Sequence, residues 1–493
     1  MNMSSITFGD RRRWLALVVV CFGQLMVMLD STIVNVALPA IQRDLNFTQA
    51  NLTWVVNAYL IAYGSLLLLA GRAGDLVGRK RVFLAGVAVF TVASGLDGLA
   101  FDSTTLIAAR LLQGLGGALS GGVILALIVT GFTKPQERAQ AMSIFMLVVA
   151  GGGSLGLLAG GTLTQLISWH WIFFINLPIG AVTMLLGWWL IEEHDGLGLS
   201  HGVDVVGSLL VTAAMVVGIY AIVTAAEMGW TSAHTLGFGV GAIVLLATFF
   251  VVEARIKNPI LPLRILRVRS LTGASAARAL VATGMFTTFF LGALYFQHIK
   301  GYSAFNTGLA FLPSTLALAA LSLGVSARLM RSFGPRALLI PGLATITIAL
   351  VLMATTDQNA GYFPGIFGQY LVFGIGAGMS FMPLTTIMMA EIPATDAGVA
   401  SGVGNVAMQV GGAFGLAALG TISAEHTQAL MARGQSLVAA LAGGYQLGFS
   451  IAAACVAAGL LIVLVVLRSP GEVRVRQQVT RYDEATPEVA EAA

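Results

Sequence analysis

The sequence predicts an all-α membrane protein with 14 transmembrane helices, built as two pseudo-symmetric six-helix bundles plus an inserted helix pair. Three observations carry this prediction. Hydrophobic residues make up 57% of the 493 residues and charged residues only 10%, against roughly 25% charged in a soluble domain. Apolar runs of about 20 residues, the length a helix needs to cross the hydrocarbon, recur along the whole chain. Glycine-rich stretches from the first part of the chain return, in the same order, in the last part.

The first run, 14–37, follows Arg11, Arg12 and Arg13 and shows no small-residue cleavage site, so it reads as a span and not a removable leader. Runs 51–71, 81–101, 104–126, 138–166 and 170–191 complete a first bundle over residues 1–195. Runs 204–227 and 236–254 have no counterpart elsewhere and form the inserted pair over 196–258. Runs 272–297, 305–327, 337–354, 362–386, 397–424 and 443–467 make a second bundle over 259–468. Residues 469–493 mix basic and acidic side chains without an apolar period and read as a disordered tail.

An even number of spans puts both termini on one side, and the basic residues choose which. Arg43, Lys300 and Arg433 fall in one set of loops, Arg110 and Arg278 fall inside spans, and every other Lys or Arg lies in the opposite loops or the tails. Positively charged loops stay inside, so that larger set and both termini are expected to be cytoplasmic. The net charge of +4 then belongs to loop ends such as Arg264, Arg267, Arg269, Arg328, Arg331 and Arg336, anchored at anionic headgroups of the lipid bilayer, and no nucleic acid is implied. Cys21 and Cys455 each sit in an apolar run, which excludes a disulfide framework or a cysteine-rich metal site. The six histidines do not pair at ligand spacing, and no catalytic triad is legible. GGGSLG at 151–156 formally spells a dinucleotide fingerprint, yet it lies inside a membrane helix with no preceding strand. No metal, no cofactor and no enzyme activity are expected.

The internal repeat is specific. GGGSLGLLAGG (151–161) aligns with VGGAFGLAALG (410–420), pairing Gly152 with Gly411, Gly156 with Gly415 and Gly161 with Gly420. QGLGGALS (113–120) matches FGIGAGMS (373–380), and GDLVGRK (74–80) has a degenerate echo in MRSFGPR (330–336). Related halves that rock about a shared central site are a transporter architecture. Gly152, Gly156, Gly160 and Gly161 fit small-residue helix packing, and the repeat predicts that they face Gly411, Gly415 and Gly420 between the halves.

Asp30 stands in the middle of the first apolar run. A carboxylate near the centre of a lipid-facing helix costs on the order of 2.5–3.5 kcal/mol on insertion scales, so it is expected to face a cavity or a partner. Arg110 is the candidate partner. From its place in each span, either residue lies roughly 10 Å below the outer surface at the helical rise per residue. Burial favours the neutral acid and a nearby guanidinium favours the carboxylate. A proton carrier needs that balance to be adjustable, so Asp30 and Arg110 are the candidate proton-coupling pair.

GRAGDLVGRKRV (71–82) resembles the signature of the loop between the second and third helices of the major facilitator superfamily. ARLLQGLGGA (109–118) resembles its fourth-helix arginine motif, and GGSLGLLAGG (152–161) its fifth-helix antiporter motif. LDSTIVNVALPAI (29–41) is similar to the first-helix motif of the drug:proton antiporters of the EmrB/QacA type, which have fourteen spans. The resemblance covers the chain apart from its last 25 or so residues, and it implies a proton-coupled exporter of drugs or antibiotic-like amphipathic compounds in a bacterial inner membrane. It also implies a cytoplasmic gate. Gly71 permits close helix approach, Gly78 a tight turn, and Arg79 and Lys80 anchor the loop. Asp75 would dock on the N-terminus of a helix starting near Asp396, where the helix dipole favours negative charge, with Arg138 joining the charge cluster. Two positions depart from the family pattern: Leu157 stands where proline is usual, and His170, expected as an interfacial residue, where arginine is usual.

The substrate cavity is expected to draw on in-span polar and aromatic residues: Gln24, Asn35, Trp54, Asn57, Tyr59, Tyr295, Gln297, Tyr370, Asn405 and Gln409. Aromatic faces suit bulky amphipathic small molecules, cations included. The expected partners are that small-molecule substrate and protons, handled by a monomer. An exporter dedicated to one endogenous metabolite or lipid fits the same motifs, and a non-transporting receptor or scaffold is the alternative from a different class.

Overall fold

The computed structural model describes residues 8–132, 134–193, 204–256, 259, 261, 263–392 and 397–467. Among them there is no strand. The expected tail 469–493 and Asp396 lie outside the described residues. The helices of the first part are α1 (Phe8–Asp44), α2 (Trp54–Val77), α3 (Arg79–Gly98), α4 (Ser103–Gly131), α5 (Pro135–Leu166), α6 (Trp171–Phe174) and α7 (Asn176–Leu190). Next come α8 (Val205–Met228) and α9 (Ala233–Arg255). The last part holds α10 (Arg269–Leu294), α11 (Ala304–Ala320), α12 (Ser326–Phe333), α13 (Pro335–Ala354), α14 (Phe367–Met389), α15 (Ala397–Ala432) and α16 (Leu437–Val465).

Among the described residues, 11 helical stretches are long and apolar enough to cross a membrane, or 12 if Asn51–Leu67 and Leu69–Val77, which meet at 48°, form one span. This is a multi-pass membrane protein. The run expected over 305–327 is not one regular helix, because the π-turn Leu321–Val325 separates α11 from α12 and leaves α11 as a short apolar helix. The other short apolar stretch is Leu155–Leu166 of α5. α5 itself runs unbroken past Leu157, as expected of a residue that keeps the amide hydrogen a proline lacks.

Glycines set the closest helix crossings. A Cβ on Gly86 would come within 2.3 Å of the Ser120 amide, and one on Gly116 within 2.3 Å of the Phe90 amide, so α3 and α4 touch backbone to backbone. α13 and α14 cross the same way through Gly342 and Gly376. The antiporter-motif glycines correct an expectation. Gly152 lies against Met28 and Leu25, Gly156 against Leu29 and Thr32, and Gly160 against the Ile33 carbonyl, so they seat α5 on α1 and not on Gly411 and Gly415. Those two seat α15 on α10, against Ala279 and Thr283. Contacts between the two parts of the chain fall elsewhere. Gly161 meets Ala304 and Phe305, Gly308 meets the Leu157 carbonyl, and Gly420 meets Thr53. The periodicity that reveals a packing face does not reveal which helix it faces.

α8 and α9 pack on each other, and α8 also touches α2 and α15. α9 is largely uncovered by the rest of the protein. Ile243, Val240 and Leu236 are exposed along it, as expected of a helix whose solvent is lipid.

Candidate functional site

Asp30 on α1 and Arg110 on α4 meet, and both are 0% exposed. Arg110 Nη1 donates to Asp30 Oδ2 at 2.6 Å. Gln113, one turn further along α4, donates from Nε2 to Asp30 Oδ1 at 2.8 Å and accepts from Arg110 Nη1 through its own side-chain oxygen. Arg110 Nε donates to the Val55 carbonyl at 2.9 Å, pinning the guanidinium to α2. The Tyr59 ring lies 4.6 Å from the guanidinium carbon and the Phe173 ring 5.7 Å. Such an arrangement tolerates a buried charge, because each ion is both paired and hydrogen-bonded.

The network continues into α3 and α7 through neutral polar groups. Gln113 Nε2 also donates to Ser94 Oγ at 3.1 Å, Asn176 Nδ2 donates to Ser94 Oγ at 2.9 Å, and Ser94 Oγ donates to the Phe173 carbonyl at 2.9 Å. Gln113, Ser94 and Asn176 escape sequence reasoning because a neutral polar residue in a membrane helix is common. Asp97 was also missed, although a carboxylate inside the predicted span 81–101 is a legible signal. It is 0% exposed, one turn from Ser94 on α3, and lies within electrostatic range of Arg110 and Asp30.

The loop between α2 and α3 is built as a tight corner. Gly78 has φ 112°, a conformation glycine adopts without strain. Gly74 sits on the Val123 side chain, and Gly71 is 3.5 Å by its would-be Cβ from the Gly122 carbonyl. Asp75 pairs with Arg79 inside its own motif at 2.9 Å, with side chains 41% and 30% exposed. Lys80 Nζ donates to the Trp188 carbonyl at 2.8 Å, and Arg81 pairs with Glu193. Arg138 donates to the Phe132 carbonyl at 3.0 Å, within its own connection.

The residues expected to line a cavity fall into several separate settings. Tyr59 belongs to the ion-pair cluster and Tyr370 to an aromatic cluster, with ring centroids 5.4 Å from Phe296 and 5.3 Å from Phe311. Asn35 donates back to the Ser31 and Thr32 carbonyls of its own helix. Gln297 donates to the Val36 carbonyl at 2.8 Å, and Tyr295 to the Asp357 carbonyl at 3.2 Å. Asn405 accepts from Arg278 at 3.3 Å. Gln409 packs its stem on Gly64, joining α15 to α2. Asn57 is fully buried with neither amide atom hydrogen-bonded among the described residues, Gln24 is buried, and Trp54 is half-buried. At the far end of α5, His170 stacks on Trp169 at 3.8 Å. Burial holds the His170 imidazole below its ordinary range, with Asp44 acting in the opposite sense.

Residues 20–416 match the family model described as Major Facilitator Superfamily. The chain is 38% identical to the puromycin resistance protein pur8 of Streptomyces alboniger, over 93% of this chain and 91% of that protein. It is 34% identical to the cephamycin export protein CmcT of Amycolatopsis lactamdurans, over 84% of this chain and 85% of that one. In fold it is similar to a bacterial homologue of the human lysosomal transporter Spinster, with a TM-score of 0.66 at 15% identity, covering 92% of this chain and 97% of the other.

Proposed function

This chain belongs to the Major Facilitator Superfamily, among its drug and antibiotic exporters, and from that premise we propose that it expels bulky amphipathic antibiotics in exchange for protons. The observation that carries the proposal is the buried Asp30–Arg110–Gln113 cluster. A carboxylate sealed inside a membrane protein and held by a guanidinium is a proton site whose occupancy depends on whether that guanidinium stays paired with it. Protonating Asp30 removes its charge and loosens its hold on Arg110, and substrate arrival restores the pair and expels the proton. Each inward proton supplies about 2.3 kcal/mol per 100 mV of membrane potential.

In this reading the fourteen helical runs all span a bacterial inner membrane with both termini cytoplasmic. Residues 1–195 and 259–468 form the rocking halves, with 196–258 as the inserted pair and 469–493 as the cytoplasmic tail. The protein works as a monomer and a transporter, not as an enzyme. The Asp75–Arg79 loop belongs to the cytoplasmic gate, Arg138 is an accessory charge, and the in-span polar and aromatic residues contribute to the substrate path. The test uses inside-out vesicles with an acid interior and a pH-reporting dye. Puromycin, ethidium and several unrelated antibiotics should each evoke proton release from wild type and none from Asp30→Asn. Full release from correctly inserted Asp30→Asn would remove Asp30 from the coupling. A dedicated exporter is the second reading, favoured because the two relatives above are each named for one antibiotic. Release by a single compound of the panel would establish it.

A further inference from the structure

Asp97 is the buried charge that the coupling pair leaves unexplained. It is the penultimate residue of α3, fully buried, and neither side-chain oxygen has a hydrogen-bond partner among the described residues. A bare carboxylate in such a place is costly, and acquiring a proton removes the cost. Arg110 has a matching vacancy: Nε and Nη1 are engaged by Val55, Asp30 and Gln113, while Nη2 is buried and unpartnered. The charged groups acting on Asp97 are Arg110 on α4 and Asp30 on α1, and Tyr59 on α2 lies against the same guanidinium. α6 and α7, also packed on α3, contain no titratable residue.

One guanidinium thus pairs with one buried carboxyl and lies within electrostatic range of a second. With both ionised the cluster carries a net negative charge in a dry interior, and with both protonated a net positive one. It is neutral only when the pair holds a single proton, the situation of two carboxyls sharing one site. We propose that Asp30 and Asp97 share one proton across Arg110, with Asp97 as the relay that takes it first. Asp97 lies at the α3–α4 end, whereas Arg110 is the eighth residue of α4 and Asp30 is beside it. A proton from water at that end adds to the Asp97 carboxylate. It then passes to Asp30 as Arg110 turns from Asp30 Oδ2 to Asp97, so that one acid and one carboxylate exchange roles and the cluster stays neutral throughout. The arrangement described above, with Arg110 on Asp30, is the state with the proton on Asp97. Phe174 packs its ring on Gly98, next to Asp97, at that end.

This inference rests on the proton-coupled reading, and its first test needs no transport. Full-length protein in lipid nanodiscs is titrated with protons and followed by infrared difference spectroscopy for the carbonyl stretch of a buried protonated carboxylic acid. Wild type should show one such acid at neutral pH, and Asp97→Asn should lose it while melting like wild type. In Asp30→Asn, Arg110 is left with Asp97 alone, and the signal should vanish there too. An acid band unchanged in Asp97→Asn, or absent from wild type, would overturn the proposal. In the vesicle assay Asp97→Asn should slow ethidium-driven proton exchange on the order of 10²-fold, the lower bound for a positioned proton-transfer group. Asp97→Glu should restore most of it. Unaltered exchange in Asp97→Asn would likewise refute the relay. An acid band that behaves as expected in a wild type that exchanges no protons with any compound would uphold the shared proton and reject the antiporter reading.

Discussion

The ion-pair site on α1, α3 and α4 has a structural counterpart on α10, α13 and α14 with opposite chemistry. Glycine contacts fix the register. The nearest neighbours of Gly152 and Gly156 are Met28 and Thr32, and those of the matched Gly411 and Gly415 are Ala279 and Thr283, which aligns Asp30 with Val281. Gly116 meets the Phe90 amide and Gly376 the Ile346 amide, which aligns Ser94 with Leu350 and Asp97 with Met353. The QGLGGALS and FGIGAGMS pair aligns Arg110 with Tyr370 and Gln113 with Phe373. Every member of the second set is apolar or aromatic, and Val281 is buried in the core. The same helix crossings are thus filled by packing in one part of the molecule and by a charged network in the other. Buried ion pairs replaced by well-packed apolar groups are often neutral or stabilising, so the architecture does not need the charges for folding. Their presence on one side only is an argument for function.

The largest effect expected from breaking this contrast is at Arg110. Arg110→Ala strands buried carboxyls and should cost about 3–5 kcal/mol, read as a fall in the melting temperature and in monodisperse yield, with proton exchange abolished. The sharper version removes both charges. Asp30→Leu with Arg110→Met should recover most of that stability, as the apolar counterpart implies, yet still exchange no protons. Recovery of exchange would show that the pair is only a staple.

Matched glycines test the shared crossings. Gly116→Ala and Gly376→Ala should each cost about 1–3 kcal/mol by overpacking. Gly116 should be the worse of the two, since its added Cβ would stand 2.3 Å from backbone against 2.7 Å at Gly376. Asp75→Ala removes a half-exposed pair and should cost no more than about 1 kcal/mol, so lowered transport at normal expression would assign the loop to gating, and unchanged transport would make it an anchor.

The smallest effect is at His170. Its depressed folded value means that its contribution to stability is complete above the ordinary histidine range and is lost as pH falls through the lowered value. His170→Gln should flatten that acid-side loss of melting temperature and leave the pH profile of transport unchanged. A shifted transport profile would bring His170 into the proton path.

Some of the site was open to reading and some was not. Asp30 and Arg110 were legible because charges inside apolar runs are costly and their shared depth follows from helical rise alone. Asp97 carried the same signal and was passed over. Gln113, Ser94 and Asn176 carried none, since their meaning lies in which atoms they touch. The antiporter glycines announced close packing but not its partner, because repeat alignment gives equivalent positions without saying which equivalent faces meet. Tyr59 and Tyr370 looked alike in the sequence and were separated by their neighbours, a guanidinium for one and aromatic rings for the other.

Composition and the spacing of apolar runs determined by themselves that this chain lives in a membrane as helices, and glycine spacing exposed its repeat. These are properties of chain against solvent, readable one segment at a time. Only the tertiary structure decided that Arg110 pairs with Asp30 with Asp97 buried nearby, and that the same crossing elsewhere is filled by Tyr370 and Phe373. Pairing inside a low-dielectric interior depends on ångström-scale distances between helices far apart in the chain, and no local pattern encodes those.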